Sequence, residues 1–103
     1  GAESYATTAR IEAPGQLESH YTPSKPVRLS ATTREDGEYM IGFGAISGDI
    51  SLSTSGDLDE AAATMFAALH IADASSAVRI AVAPIPMGGV GAAINDRLKR
   101  ASA

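Results

Sequence analysis

The sequence predicts one small α/β domain with a mixed, mostly parallel sheet and two main helices. Residues 57–73 and 90–100 each place apolar side chains at the three- and four-residue steps of an amphipathic helix. Residues 78–83, between them, form a short apolar run typical of a strand. A strand, a helix and a strand in succession usually form a parallel pair. The length of 103 residues fits a single domain.

The N-terminal residues 1–26 are expected to form a flexible arm and a linker that precede the domain at residues 27–103. Residues 1–13 show no stable hydrophobic period, so we expect them to be flexible. Three prolines fall within residues 14–26. Because proline fixes φ and disfavours helix in the residue before it, this linker should be extended.

Three more strands are expected before the first helix. Residues 27–31 and 50–53 alternate apolar and polar side chains, as half-buried strands do. Residues 39–46 are apolar on both faces, which is typical of a central strand. Gly42 and Gly44 weaken this strand but allow another segment to approach it closely.

Two polar turns are expected to separate these strands. Residues 32–38 contain Asp36 and Gly37, a pair typical of hairpins, although the loop is longer than two residues. Residues 47–49 form the second turn.

The first helix is expected to open with a capping box. Asp57 can accept a backbone N–H as N-cap, and Glu60, three residues later, can reach back toward it. The helical spacing predicts charge on the outer face and a core face that consists of Leu58, Ala62, Met65, Phe66, Leu69 and Ala72.

The second helix is expected to be amphipathic as well. Asp96 and Arg100 can form an ion pair on its exposed face because they are four residues apart. Its predicted buried stripe consists of Val90, Ile94, Leu98 and Ala101.

The composition excludes several classes of function. The chain has no cysteine, which excludes disulfides and thiolate metal sites and is compatible with a reducing compartment. A net charge of −4 does not favour direct binding of nucleic acid, which requires a basic surface. No apolar run is long enough to span a bilayer, so no membrane partner is expected.

The candidate sites in the domain are few. Gly88, Gly89 and Gly91 follow a strand and open a helix, so their amides can bind an anion; alternatively, they allow a tight turn and close packing. The two histidines, His20 and His70, form no metal-binding spacing with the carboxylates, so no metal site is expected. No nucleophile, base and metal occur together, so no catalytic residue is expected in this chain.

Three segments in order resemble the long-form L-threonylcarbamoyladenylate synthases. The linker APGQLESHYTPSKP is similar to their "SPGM…HYAPxxP" motif. The first helix, GDLDEAAATMFAALHIAD, is similar to "GDLxEAAxNLFxxLRxLD", and IPMGGVGAAINDR is similar to "IPxxGLGxAIxDRL". The resemblance covers most of residues 13–101 and implies a small Rossmann-like C-terminal domain. Since the chain begins Gly-Ala, we expect a cloning remnant at Gly1 and a piece of a longer protein.

The resemblance also implies a function for the parent enzyme. Enzymes of this family join L-threonine, bicarbonate and ATP into threonylcarbamoyl-AMP and pyrophosphate, for the threonylcarbamoyladenosine modification of tRNA. This implies ATP and Mg²⁺ in the parent and no cofactor in this chain. The implied partners are an N-terminal YrdC-type catalytic domain and, more distantly, tRNA-modifying proteins in the cytoplasm. The alternatives are a nucleotide-sensing module and a domain for dimerisation or partner docking.

The linker residues that match the family motif are Pro14, Gly15, His20, Tyr21 and Pro23. The resemblance implies that this linker runs over the catalytic pocket and that its two ring side chains help to close it.

Two features qualify this lid role. Gln16 stands where the family has Met, which removes one expected contact. The alternative is a structural role, in which Leu17 and Tyr21 pack on the edge of their own domain. The loop at residues 32–38 is also short where many relatives have a helix, which implies a more open sheet.

Overall fold

A computed structural model describes residues 21–102, which contain four strands and two helices. The elements are β1 (Val27–Arg28), β2 (Glu38–Gly42), β3 (Ile50–Ser51), α1 (Leu58–Ala74), β4 (Arg79–Val82) and α2 (Val90–Ala101). The predicted α/β class and the two main helices are confirmed.

The strands of the described region form one sheet in the order β1-β4-β2-β3, and all three pairs are parallel. The expectation of a mixed sheet is therefore wrong for these residues. The hairpin signal at Asp36 and Gly37 is also wrong, because β4 lies between β1 and β2. The Gly37 carbonyl instead accepts hydrogen bonds from the backbone N–H groups of Val78 (2.9 Å) and Arg79 (3.1 Å). The loop is thus attached to the start of β4.

The central strand β2 ends at Gly42, earlier than the predicted residue 46. The chain turns back there, and Phe43 and Ile46 exchange backbone hydrogen bonds of 2.8 and 3.1 Å. The returning segment passes so close to Gly42 that a Cβ on this residue would lie 2.3 Å from the Ile46 carbonyl oxygen. The predicted close approach is confirmed. It lets β3 lie parallel to β2 after a very short connection.

The core lies between the sheet and the helices. Ile80, Ala81 and Val82 of β4 have no exposed surface, so this strand is buried on both faces. The buried residues of α1 are Ala61, Met65, Ala68, Leu69 and Ala72.

The outer face of α1 does not carry the predicted charge. Its acidic residues Asp59 and Glu60 lie in the first turn, and Asp73 lies in the last turn. The predicted core residues Leu58, Ala62 and Phe66 are only partly buried. The helical period was predicted correctly, but the buried stripe is rotated around the helix toward Ala61 and Ala68. This rotation leaves small and apolar side chains on the outside.

The N-terminus of α1 is capped partly as predicted. Asp57 Oδ1 accepts from the backbone N–H groups of Asp59 (2.9 Å) and Glu60 (3.3 Å). Glu60 does not close the box on Asp57; its Oε1 accepts from the buried Ser53 hydroxyl at 2.6 Å. The Ser53 oxygen in turn accepts from the Asp57 N–H at 2.9 Å. A residue outside the helix therefore completes the cap.

Helix α2 buries Gly91, Ile94 and Leu98, whereas Val90 is 41% exposed, contrary to the prediction. Gly91 takes the core-facing position because a Cβ there would lie 1.8 Å from the Pro86 carbonyl oxygen. The helix thus approaches the preceding loop more closely than any other residue permits. The predicted ion pair between Asp96 and Arg100 is confirmed.

An ion pair between a buried carboxylate and a partly exposed guanidinium group joins β1 to β2 across β4, and the sequence did not suggest it. Arg28 donates from Nε and Nη2 to the two carboxylate oxygens of Glu38, each at 2.8 Å, and the Glu38 side chain has no exposed surface. The backbone N–H of Glu35 donates to the same carboxylate at 2.8 Å. The hydrogen bonds from Arg28 outweigh burial and lower the pKa of Glu38 from 4.5 to about 2.

Replacing Glu38→Gln should lower the free energy of unfolding by about 1–2 kcal/mol at pH 7, because Arg28 and the Glu35 N–H lose a charged hydrogen-bond acceptor at a site that solvent partly screens. A depressed carboxyl pKa contributes stability that is complete above pH 4.5 and is lost as pH falls toward 2. The difference between the wild type and Glu38→Gln should therefore shrink over that range. Urea unfolding at a series of pH values measures it. A difference that does not change with pH would contradict the assignment.

Replacing Gly91→Ala should destabilise the domain by about 3 kcal/mol or more, because the new methyl group collides with the Pro86 carbonyl. Gly88→Ala is the matched control, since nothing lies within 4 Å of a Cβ at that position. The control should be neutral or slightly stabilising. Thermal unfolding of both variants decides the matter, and equal midpoints would show that the contact is not rigid.

Candidate functional site: the linker anchor on the first helix

The end of the linker is held on the last turns of α1. The ring of Tyr21 stacks on the ring of His70, with centroids 3.9 Å apart and an interplanar angle of 28°. The Tyr21 hydroxyl donates to Asp73 Oδ2 at 3.1 Å. Pro23, between the two ends of this contact, is buried. We call the contact of residues 21–25 with His70 and Asp73 the linker anchor.

Asp73 is the centre of the linker anchor. Its carboxylate accepts from the Ser24 backbone N–H at 3.1 Å, from the Ser24 hydroxyl at 3.0 Å and from the Lys25 backbone N–H at 3.2 Å. The Lys25 ammonium group donates to the Asp73 carbonyl oxygen and lies 3.9 Å from Oδ1. Five donors of the linker therefore converge on one residue.

The position of Asp73 is unusual for a helix. A carboxylate in the last turn lies at the negative end of the helix dipole, which disfavours it. No basic residue of α1 lies in that turn to offset it. The linker supplies the missing positive charge through Lys25. This arrangement indicates that the carboxylate serves the linker rather than the helix.

The electrostatics of the linker anchor fit this description. Burial, together with the hydrogen bond to Asp73 and the negative charge of Asp73, raises the pKa of Tyr21 to about 12. The hydroxyl is therefore a proton donor at neutral pH. Burial alone would raise the pKa of Asp73, but the donors of Ser24, Tyr21 and Lys25 hold it below its usual value of 3.8.

Tyr21 and Pro23 are the two predicted lid residues within the described part of the chain. Tyr21 stacks on His70 of its own domain, in agreement with the edge-packing alternative for this residue, and Pro23 is buried. Pro14, Gly15 and His20 lie outside the described residues. The role of all five over a catalytic pocket stays a prediction.

Two amides, one at the glycine corner (residues 88–91 at the start of α2) and one at the residue after it, are engaged within the turn. The Gly91 N–H donates to the Gly88 carbonyl at 2.9 Å, and the Ala92 N–H donates to the Gly89 carbonyl at 3.1 Å. The side chains that flank the corner, Met87 and Val90, are apolar and exposed. The anion site at Gly88, Gly89 and Gly91 stays a prediction. The glycines at 89 and 91 have local roles: Gly89 has a φ of 56°, and Gly91 permits the close packing.

A shallow groove of about 410 Å³ lies at the start of β2, beside the end of α1. Its carboxylates already have partners: Glu38 binds Arg28, and Asp49 Oδ2 accepts from the Met40 N–H at 2.7 Å. Within residues 21–102, no group of three or more His, Asp or Glu side chains is placed to hold a metal ion. The groove therefore contains no evident catalytic set.

The sequence indicated each part of the linker anchor without joining the parts. Tyr21 was identified as a ring side chain in the linker, and His70 as a histidine without a metal-binding spacing. The signal that could have joined them is Asp73, an acid in a final helical turn that lacks a basic residue.

No helix in the described part of the chain is both long and apolar enough to cross a bilayer.

Comparison with known proteins gives one result. The model of the family described as the threonylcarbamoyl-AMP synthase C-terminal domain matches residues 2–103. No curated protein and no solved structure matches the chain significantly. The family match covers the domain together with the linker that is anchored on it. This chain belongs to the family of threonylcarbamoyl-AMP synthase C-terminal domains.

Proposed function

We propose that this domain anchors a linker that closes the active site of an N-terminal YrdC-type catalytic domain in the parent enzyme. The parent joins L-threonine, bicarbonate and ATP into threonylcarbamoyl-AMP and pyrophosphate, for the modification of tRNA in the cytoplasm. The observation that carries this proposal is the linker anchor. The end of the linker is held by a helix-terminal carboxylate, a stacked ring pair and a lysine.

Anchoring matters because a lid is effective only when it returns to one position. Fixing the residues from Tyr21 to Lys25 removes conformational freedom from the chain before them. The segment that carries His20 then starts from a defined point, one residue before Tyr21. A closed lid excludes water from a reactive intermediate, and threonylcarbamoyl-AMP is a mixed anhydride that water would hydrolyse.

The catalytic groups, ATP and Mg²⁺ belong to the N-terminal domain in this proposal. The Gly91 and Ala92 amides at the start of α2 are engaged within their own turn, and the two carboxylates of the groove beside β2 already have partners. The contribution of this domain is therefore positional. Docking of tRNA-modifying proteins, nucleotide sensing and dimerisation stay predictions, and no contact within residues 21–102 favours one of them.

Replacing Asp73→Ala in the parent enzyme should lower threonine- and bicarbonate-dependent pyrophosphate release on the order of tenfold, because the linker loses its acceptor. Asp59→Ala is the matched control, since it removes an exposed carboxylate from the other end of the same helix. The control should keep nearly full turnover. Equal rates for the two variants would contradict the proposed role of the linker anchor.

The two ring residues of the linker should separate in their effects. Tyr21→Ala should lower both turnover and the stability of this domain, because its ring stacks on His70 and its hydroxyl binds Asp73. His20→Ala should lower turnover and leave the stability of the domain unchanged. Steady-state kinetics of the parent and urea unfolding of this chain provide the two readouts. Unchanged turnover in both variants would show that the linker is a passive tether.

A further inference from the structure

The groove at the start of β2 carries two opposite charges that the fold does not fully use. Arg34 and Asp49 both line it, and both residues are exposed. Its volume of about 410 Å³ lies within the range of pockets that bind small molecules. We call it the β2 groove. Its other lining residues are Gly37, Glu38, Tyr39, Ser75, Ser76 and Ala77.

The cation of the β2 groove has no partner within residues 21–102. Arg34 forms no ion pair there, although three acidic residues follow it within four positions. Glu38 uses both carboxylate oxygens for Arg28, and a Glu35 oxygen lies 3.8 Å from the same guanidinium group. Because two of the neighbouring acids are directed to Arg28, the Arg34 guanidinium group is left to the groove. Such a group can donate two parallel hydrogen bonds to a carboxylate.

The anion of the β2 groove is fixed in place and has one oxygen to spare. Asp49 Oδ2 accepts from the Met40 N–H at 2.7 Å, and the Asp49 N–H donates to the Met40 carbonyl at 2.8 Å. These two bonds hold Asp49 against β2. Its Oδ1 has no hydrogen-bond partner in the described part of the chain, so it can accept from an ammonium group.

The rest of the β2 groove adds no further free charge. The Glu38 side chain has no exposed surface and is paired with Arg28. Tyr39 is partly buried, as is Ala77, and together they offer an uncharged surface.

A groove with both signs of charge discriminates among small ligands. A simple anion that reaches Arg34 also meets the charge of Asp49, and a simple cation that reaches Asp49 also meets Arg34, so each is disfavoured. A ligand that satisfies the whole groove needs a carboxylate, an ammonium group and an uncharged part. These are the groups of a free α-amino acid.

We propose that the β2 groove binds a free α-amino acid with an uncharged side chain, its carboxylate on Arg34 and its ammonium group on Asp49. The side chain of the ligand then lies toward Tyr39 and Ala77. No residue of the groove belongs to the linker anchor, so this site does not depend on the proposed closure of a catalytic pocket.

Titration of this chain with L-leucine, followed by nitrogen-15 NMR, tests the proposal. The amide signals of Arg34, Asp49 and Ser76 should shift and saturate in the millimolar range, because exposed ion pairs contribute little each. N-acetyl-L-leucine lacks the ammonium group, and L-leucinamide lacks the carboxylate. Each should bind about fivefold more weakly than L-leucine, since each loses one ion pair.

Two variants test the residues themselves. Arg34→Gln and Asp49→Asn each remove one charge, and the asparagine oxygen can still accept from the Met40 N–H. Each should weaken the binding of L-leucine about fivefold. The matched controls are Arg97→Gln and Asp59→Asn, which change exposed charges outside the groove and should leave binding unchanged. Urea unfolding of each variant checks that the fold persists.

The absence of saturable shifts up to the solubility limit of L-leucine would overturn the proposal. So would equal binding of L-leucine and N-acetyl-L-leucine, since the groove would then be a plain anion site. Equal binding of L-leucinamide would contradict it in the same way, as a plain cation site. These measurements use this chain alone and do not involve pyrophosphate release, so a failure here is distinguishable from a failure of the proposed lid function.

Discussion

The parallel pairing of β4 with the strand on each side of it is the constraint on which the rest of this domain depends. Because β4 pairs in parallel with β1 on one side and β2 on the other, all of these strands start at the same edge of the sheet. Helix α1 leads into β4, so it must end at that edge. The linker leads into β1, so it must arrive there too. The meeting of the linker with the end of α1 thus follows from the parallel topology.

The chemistry of the linker anchor makes use of this meeting. The end of α1 presents carbonyl groups and a negative dipole, to which Asp73 adds a full negative charge. The linker brings backbone donors, two hydroxyls and the Lys25 ammonium group to the same point. Each group would be unfavourable or unremarkable alone. Together they hold residues 21–25 at the end of α1.

Local patterns allowed much of the fold to be predicted. The helices follow from the 3.6-residue period, and Asp57 was identified as the cap because its partners lie within three residues. The strand order could not be predicted, since the insertion of β4 between β1 and β2 depends on pairing across about fifty residues. The same applies to Arg28 and Glu38, which meet across another strand. Gly91, and not Val90, lies in the core because the helix packs closely against the Pro86 carbonyl, a contact that apolar patterns do not reveal.

The candidate site was predictable to a smaller extent. Tyr21 and Pro23 were identified as important from the linker motif, and the structure describes both on the surface of their own domain. The identity of their acceptor, Asp73, required the three-dimensional meeting of two segments. At the glycine corner, the turn engages the amides of Gly91 and Ala92, a local contact that the sequence pattern did not reveal.

The most direct test of this account is the carboxyl titration of Asp73 by carbon-13 NMR in this chain. A carboxylate at the negative end of a helix, with no linker on it, should titrate above its usual value. The account predicts a pKa below 3.8, because the donors of Tyr21, Ser24 and Lys25 stabilise the charged form. The anchor should then be complete above pH 3.8 and weaken as pH falls further. A pKa at or above 3.8 would show that the linker is not held there and would contradict the account.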